Sequence, residues 1–375
     1  MSFFPRIKEI KRRDWIMAGV MIVLCAVLFF VDTMPPAAEQ PGTKERAVVL
    51  ETDDSGLRQI GTVRMGTQIL KVRMLSGQWK GRDFHAVNEL RAQMDLDKVF
   101  VPGDVILAGV LHDITPENGS VNAQDYYRIT GLVVLFALFA LLLLAFGGLT
   151  GFNALLSFVF TCLVVWKLAV PCCLKGWNPL VISFSIVILL SAVIIFLVAG
   201  LNRKGLTAFG GTLAGVLSGS LLAWIFTHLF RINGATMPYA QSLINAGYEY
   251  LNLPDIFVGA IFLSSSGAVM DLAMDIAAGM DEVLQKQPQI SRKELFFSGI
   301  RMGRSVVGTM TTTLLLAYSG GYLTLMMMFA AQGTLPVDFL NHPHVISEAV
   351  KTLVGSFGLV LVAPLTALLG AKILR

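Results

Sequence analysis

From residue 129 to its end the chain is a succession of long apolar runs, such as "GLVVLFALFALLLLAFGGL" and "VISFSIVILLSAVIIFLVAG", separated by short segments rich in Gly, Pro and charge. About 20 apolar residues in a row span a bilayer's hydrocarbon as a helix. No water is available there to satisfy backbone amides, so a helix that bonds itself is the natural solution. A 375-residue chain that is 55% hydrophobic and only 14% charged is too apolar for an ordinary soluble globule. The sequence therefore predicts a polytopic α-helical membrane protein with about eight transmembrane helices. These fall at 15–31 and near 129–146, 152–170, 179–200, 206–230, 255–280, 305–331 and 345–372.

Lys and Arg in short flanking segments set orientation. Arg6, Lys8, Lys11, Arg12 and Arg13 precede the first run, and Arg203, Lys204, Lys286, Arg292, Lys293, Arg301 and Arg304 fall in alternate connections. The expected topology is multi-pass with both termini cytoplasmic. The first run reads as a retained anchor rather than a cleaved signal, because no clean small-x-small cleavage site follows it. The net charge of +4 is largely this inside bias and does not point to nucleic acid. Four cysteines, at 25, 162, 172 and 173, are too few for a disulfide framework and read as packing residues.

Three domains follow: 1–32 as cytoplasmic N-terminus and first anchor, 33–128 as an outward-facing β-rich domain, and 129–375 as a seven-helix membrane domain. Within the second, "RAVVLETDD", "GTQILKVRMLSG", "RDFHAVNEL" and "VPGDVILAGVL" alternate apolar and polar residues and are broken by turn residues. That pattern predicts four or five strands closing into a small β-barrel of the kind that includes OB-like folds. Pro102, Gly103 and Asp104 supply turn chemistry, and "SGQWKGRD" reads as a solvated hairpin tip.

The stretch "SSSGAVMDLAMDIAAGMDEV" raises the functional question, because Asp271 and Asp275 lie on one face of a spanning helix. An ionised carboxylate at membrane depth is costly, so the pair must take a proton, share a cation, or pair with a base. Arg301 and Arg304, at the start of the next helix, are the bases within reach of an antiparallel hairpin. That helix is also polar, "GRSVVGTMTTTLLLAYSGGY", with Gly320 and Gly321 placed to break it. A polar path through Asp271, Asp275, Arg304, Thr309, Thr312, Thr313 and Ser265 is the expectation. Carboxylates with hydroxyls suit a proton or hard cation, while Met270 and Met274 leave a soft ion open. No cofactor or metal is specified.

Other local features are structural. Gly211, Gly215 and Gly219 recur every fourth residue, a stripe that lets helices approach closely. Ser291 with Glu294 has capping-box spacing, opening an amphipathic helix on the inner membrane face. Glu348 and Lys351 are spaced for a local pair, Pro364 for a kink, and "NHPH" at 341–344 reads as an exposed loop.

The segments "SGAVMDLAMDIAAGMDEV", "LFFSGIRMGRSVVGTMTTTLLLAYSGG" and "GSFGLVLVAPLTALL" resemble the YibE/F family of bacterial multi-spanning membrane proteins, and "GTQILKVRMLSGQWKG" and "VPGDVIL" are similar to its N-terminal part, so the likeness runs from about residue 44. The resemblance implies a multi-spanning fold and carries no biochemical activity with it. The family pattern G-R-D-x-x-G-T-M-x-N-T-L is matched at Arg304 and Thr309, but Ser305 and Thr312 replace its Asp and Asn. Two readings remain. One is a transporter or channel-like protein for a proton, cation or other small solute. The other is a non-transporting scaffold or sensor whose β-domain binds an envelope partner. An enzyme is not expected, since no P-loop, G-x-S-x-G or H-E-x-x-H motif is present.

Overall fold

The computed structural model describes residues 12–31, 33–34, 42–111 and 119–375, without side-chain placement at 12–17. Chain contacts divide it into two units, one running from 36 to 145 and the other joining the first helix to everything from 146 onward.

The first unit is built from β1 (Gly42–Asp53), β2 (Leu57–Ile60), β3 (Val63–Met74), β4 (Asp83–Arg91), β5 (Val105–Leu111) and β6 (Ser120–Tyr126). Five of these close a ring in the order β1, β5, β6, β4, β3 and back to β1, while β2 forms a hairpin on β3. All pairings are antiparallel except β4 with β6. The ring is a small closed barrel, as the alternating runs predict. Inward positions carry Val49, Leu70, Val72, Phe84, Ile106, Val110 and Val121, all nearly inaccessible. The turn before β5 has Gly103 at φ 98°, a conformation that favours glycine, and Val101 N–H donates to Asp104 Oδ2 at 2.8 Å.

Two polar side chains occupy core positions. Gln68 on β3 donates to Phe100 O at 2.8 Å and to Asp54 Oδ1 at 2.7 Å, while its Oε1 accepts from Phe100 N–H and from Asn88 Nδ2. Asn88 also donates to Lys98 O at 2.7 Å. Together they bind the β4–β5 connection to the barrel and leave Phe100 as a core side chain. The hairpin at 75–82 departs from expectation. Trp79 packs edge-on to Phe84 at 6.0 Å and is half-buried against the core cluster, because a large apolar indole gains by leaving water.

The second unit contains α1 (Arg12–Phe30) and the chain beyond the kink in α2 (Ile129–Val164), which falls at Gly148 with φ 53°. One π-helical turn (Val165–Ala169) leads into α3 (Val170–Leu174). Then follow α4 (Pro179–Val198), α5 (Arg203–Leu229), α6 (Ala240–Asn245), α7 (Leu253–Lys286), α8 (Arg292–Gly320), α9 (Leu323–Ala331), α10 (Pro336–Asn341) and α11 (Pro343–Ile373). Five helices among the described residues are long and apolar enough to cross a membrane, or six if α8 and α9, bent by 63°, form one broken span. The difference from about eight arises at two places: the runs at 129–146 and 152–170 belong to one stretch, Ile129–Leu174, and the described apolar part of α1 is short, Ala18–Phe30.

Helix α7 is central, flanked by α4, α5, α8 and α11. Its Phe257, Ile261, Leu272, Ile276 and Met280 are fully enclosed and pack into one cluster with Val216, Leu295, Leu359 and Val362. The glycine stripe on α5 is a packing seam against α11: Gly211 abuts Thr366, Gly215 abuts Val362 and Gly219 abuts Gly358. The capping box forms, with Ser291 Oγ accepting from Glu294 N–H and Glu294 Oε2 from Ser291 N–H. The amphipathic segment it opens is not a separate helix, however. It is the first part of α8, which runs on without a break because Gly299 and Gly303 are held against Ala367 and Ala363 of α11. The "NHPH" segment likewise is no loop: Asn341 ends α10, and Pro343 begins α11.

Candidate functional site

Three contacts fix the antiparallel register of α7 and α8. Tyr318 Oη donates to Ser264 Oγ at 2.9 Å, Gly303 abuts Ile276, and Met302 abuts Gly279. Asp275 therefore lies at the depth of Arg304, and Asp271 at about the depth of Thr309. Helical periodicity puts Ser264, Gly267, Asp271 and Asp275 on a single stripe of α7, and all four are exposed. On α8, Arg301, Arg304, Ser305, Gly308, Thr309, Thr312 and Thr313 are likewise exposed.

The candidate path residues thus separate into groups. Asp271, Asp275, Arg304, Thr309, Thr312 and Thr313 lie on the open sides of α7 and α8. Ser265 does not join them: it is buried on the inward side of α7, against Gly355 of α11. Its neighbour Ser264 takes the place on the stripe. Met270 and Met274 turn toward α4 and α5, packing with Ile195, Ala208 and Ala277. No group of three or more His, Cys, Asp or Glu suited to a metal occurs among the described residues.

The polar side chains differ in how they are satisfied. Ser305 donates to Met302 O, Thr309 to Val306 O, Thr312 to Gly308 O and Thr313 to Thr309 O, each within 3.1 Å. These hydroxyls are at peace with an apolar medium. Neither Asp271 nor Asp275 has such a partner, and no ion pair joins either to Arg301 or Arg304 among the described residues.

At the other end of the hairpin the stripe meets a cavity of about 300 Å³ beside the bend between α8 and α9, lined by Tyr318, Tyr322, Met326, Phe339, Glu348 and Thr352. Glu348 and Lys351 form the local pair that their spacing predicts, at 2.6 Å, with side chains only 15% and 21% exposed. Lys351 Nζ lies 6.0 Å from the Tyr322 ring centre, and Glu348 Oε2 is shut off from solvent. Sequence spacing reveals the Glu348–Lys351 pair but not its neighbours. Tyr318 lines the same cavity from α8, and Tyr322 from just beyond the bend that follows Gly320.

Apolar helices of spanning length, joined in sequence to a closed five-stranded barrel, define a polytopic membrane protein with a β-barrel domain. The chain belongs to the YibE/F family: residues 135–375 match the family described as YibE/F-like protein, which covers the membrane helices from α2 to the end. No curated protein and no solved structure matches it significantly.

Proposed function

We propose that this chain is a transport or channel-like protein of the bacterial cytoplasmic membrane that moves a proton or hard cation along the α7/α8 seam. The observation that carries this reading is the polar line along α7. It runs from Asp275 through Asp271 to Ser264, crosses to Tyr318, and ends beside the largely buried Glu348–Lys351 pair. Carboxylates at membrane depth, a bent helix and an enclosed ion pair are features that transporters use to hold charge. In this reading Asp271 and Asp275 take up the proton or cation, Arg304 balances them, and the hydroxyls of Thr309, Thr312 and Thr313 offer ligating oxygens. Ile129–Leu174 crosses twice about Gly148, giving eight crossings with α1, both termini cytoplasmic and the barrel outside. No catalytic step is part of it.

The test is ion and proton flux in proteoliposomes under imposed gradients, comparing wild type with Asp271→Asn plus Asp275→Asn after both are shown to insert and fold. Flux present in wild type and lost in the double variant supports the reading. Wild-type flux equal to that of empty liposomes for every cation tried sinks it. One observation favours a second reading, a non-transporting scaffold or sensor that binds an envelope partner through its barrel: the polar residues lie on an open side rather than around an enclosed channel. Flux indistinguishable from empty liposomes would favour it.

A further inference from the structure

The open side of α7 and α8 cannot face lipid as it stands. Asp271 and Asp275 are carboxyl groups with no hydrogen-bond or ion-pair partner among the described residues, and Gly267 and Gly308 have nothing within 4 Å of where a Cβ would sit. Exposed carboxylates at membrane depth are expected to face protein or water. Gaps over glycine are what a second backbone fills when helices pack closely in a bilayer. The charges identify the occupant. Asp275 and Arg304 share one depth and are both exposed, yet no ion pair holds either among the described residues. A second copy related by a two-fold axis along the membrane normal presents the same residues at the same depth. Asp275 of each copy then meets Arg304 of the other, which is the self-complementarity an isologous interface requires.

We propose that two copies of this chain associate through the exposed sides of α7 and α8, with reciprocal Asp275–Arg304 pairs and close approach over Gly267 and Gly308. This interface stands whether or not the protein transports anything.

The experiment is native mass measurement of the full chain released from nanodiscs, with two charge-reversed variants. Wild type is expected at twice the chain mass of 40.7 kDa. Asp275→Arg alone and Arg304→Asp alone are each expected at the single-chain mass, since every pair becomes a repulsion. Co-expressed with different tags, the two variants restore both attractions and are expected to co-purify one to one. Disulfide formation in native membranes provides a test that needs no charge change. With Cys25, Cys162, Cys172 and Cys173 replaced, Gly308→Cys should give a cross-linked pair, whereas Leu221→Cys, an exposed α5 position, should not. A wild type of single-chain mass with no Gly308→Cys pair overturns the proposal, as does failure of the two reversed variants to associate while each alone keeps the double mass. A paired protein without flux sinks the transport reading and leaves the interface, and flux from a single-chain protein does the reverse.

Discussion

Tyr318 on α8 donates a hydrogen bond to Ser264 on α7 at 2.9 Å, and Ser264 in turn donates to Ile261 O at 3.0 Å. This is the one side-chain hydrogen bond between α7 and α8 among the described residues, and it joins the Asp stripe to the cavity that holds Glu348.

Tyr318→Phe keeps the ring and deletes the donor. Loss of one such bond costs about 1 kcal/mol, so thermal unfolding in bicelles should shift only slightly. Under the transport reading the flux should fall far more than stability does. A flux that tracks stability alone would remove Tyr318 from the path.

Gly215→Ala places a Cβ 2.7 Å from Val362 Cβ, inside the α5/α11 seam. Neither helix backbone has room to move far, and overpacking of this kind costs about 1–3 kcal/mol. Unfolding of the full chain in SDS/bicelle mixtures should show it. Gly308→Ala, over an open gap, should leave the fold of one chain intact.

Gln68→Ala leaves Phe100 N–H and C=O without their partners inside the barrel and frees the β4–β5 connection. With each stranded group costing about 1–3 kcal/mol, the loss should be confined to the barrel. Hydrogen exchange on the full chain should speed up across β3, β4 and residues 92–104, while α7 and α11 keep their protection.

Asp125 supplies a pH signature. Burial pushes its carboxyl up, but Tyr126 N–H, Arg128 and Lys98 together hold it below the ordinary 3.8. A carboxyl depressed in the folded state contributes stability that is fully present above its unfolded value and lost as pH falls through the folded one. Barrel stability should therefore fall in acid below about pH 4. Asp125→Asn should be less stable at neutral pH, with that part of the acid sensitivity removed. Identical acid profiles for the two proteins would contradict this.

Much of the architecture was legible in the residue order. Apolar run length gave spanning helices because lipid leaves the backbone no other partner, and period-two alternation gave the barrel strands. Local rules gave the Ser291–Glu294 cap, the Gly103 turn and the Glu348–Lys351 pair, because each depends on residues only two to four apart. The glycine stripe was readable as a seam, although its partner, α11, was not. Tertiary structure alone decided the rest. Helical periodicity places Asp271 and Asp275 on one face, but only the packing of α4, α5, α8 and α11 leaves that face open and turns Ser265 inward instead of Ser264. Gln68 and Asn88 break the apolar alternation of β3 and β4 because their partners, the backbone of Lys98 and Phe100, arrive from 10 to 32 residues away. A sequence specifies which residues share a face. What covers that face is a property of the assembled fold.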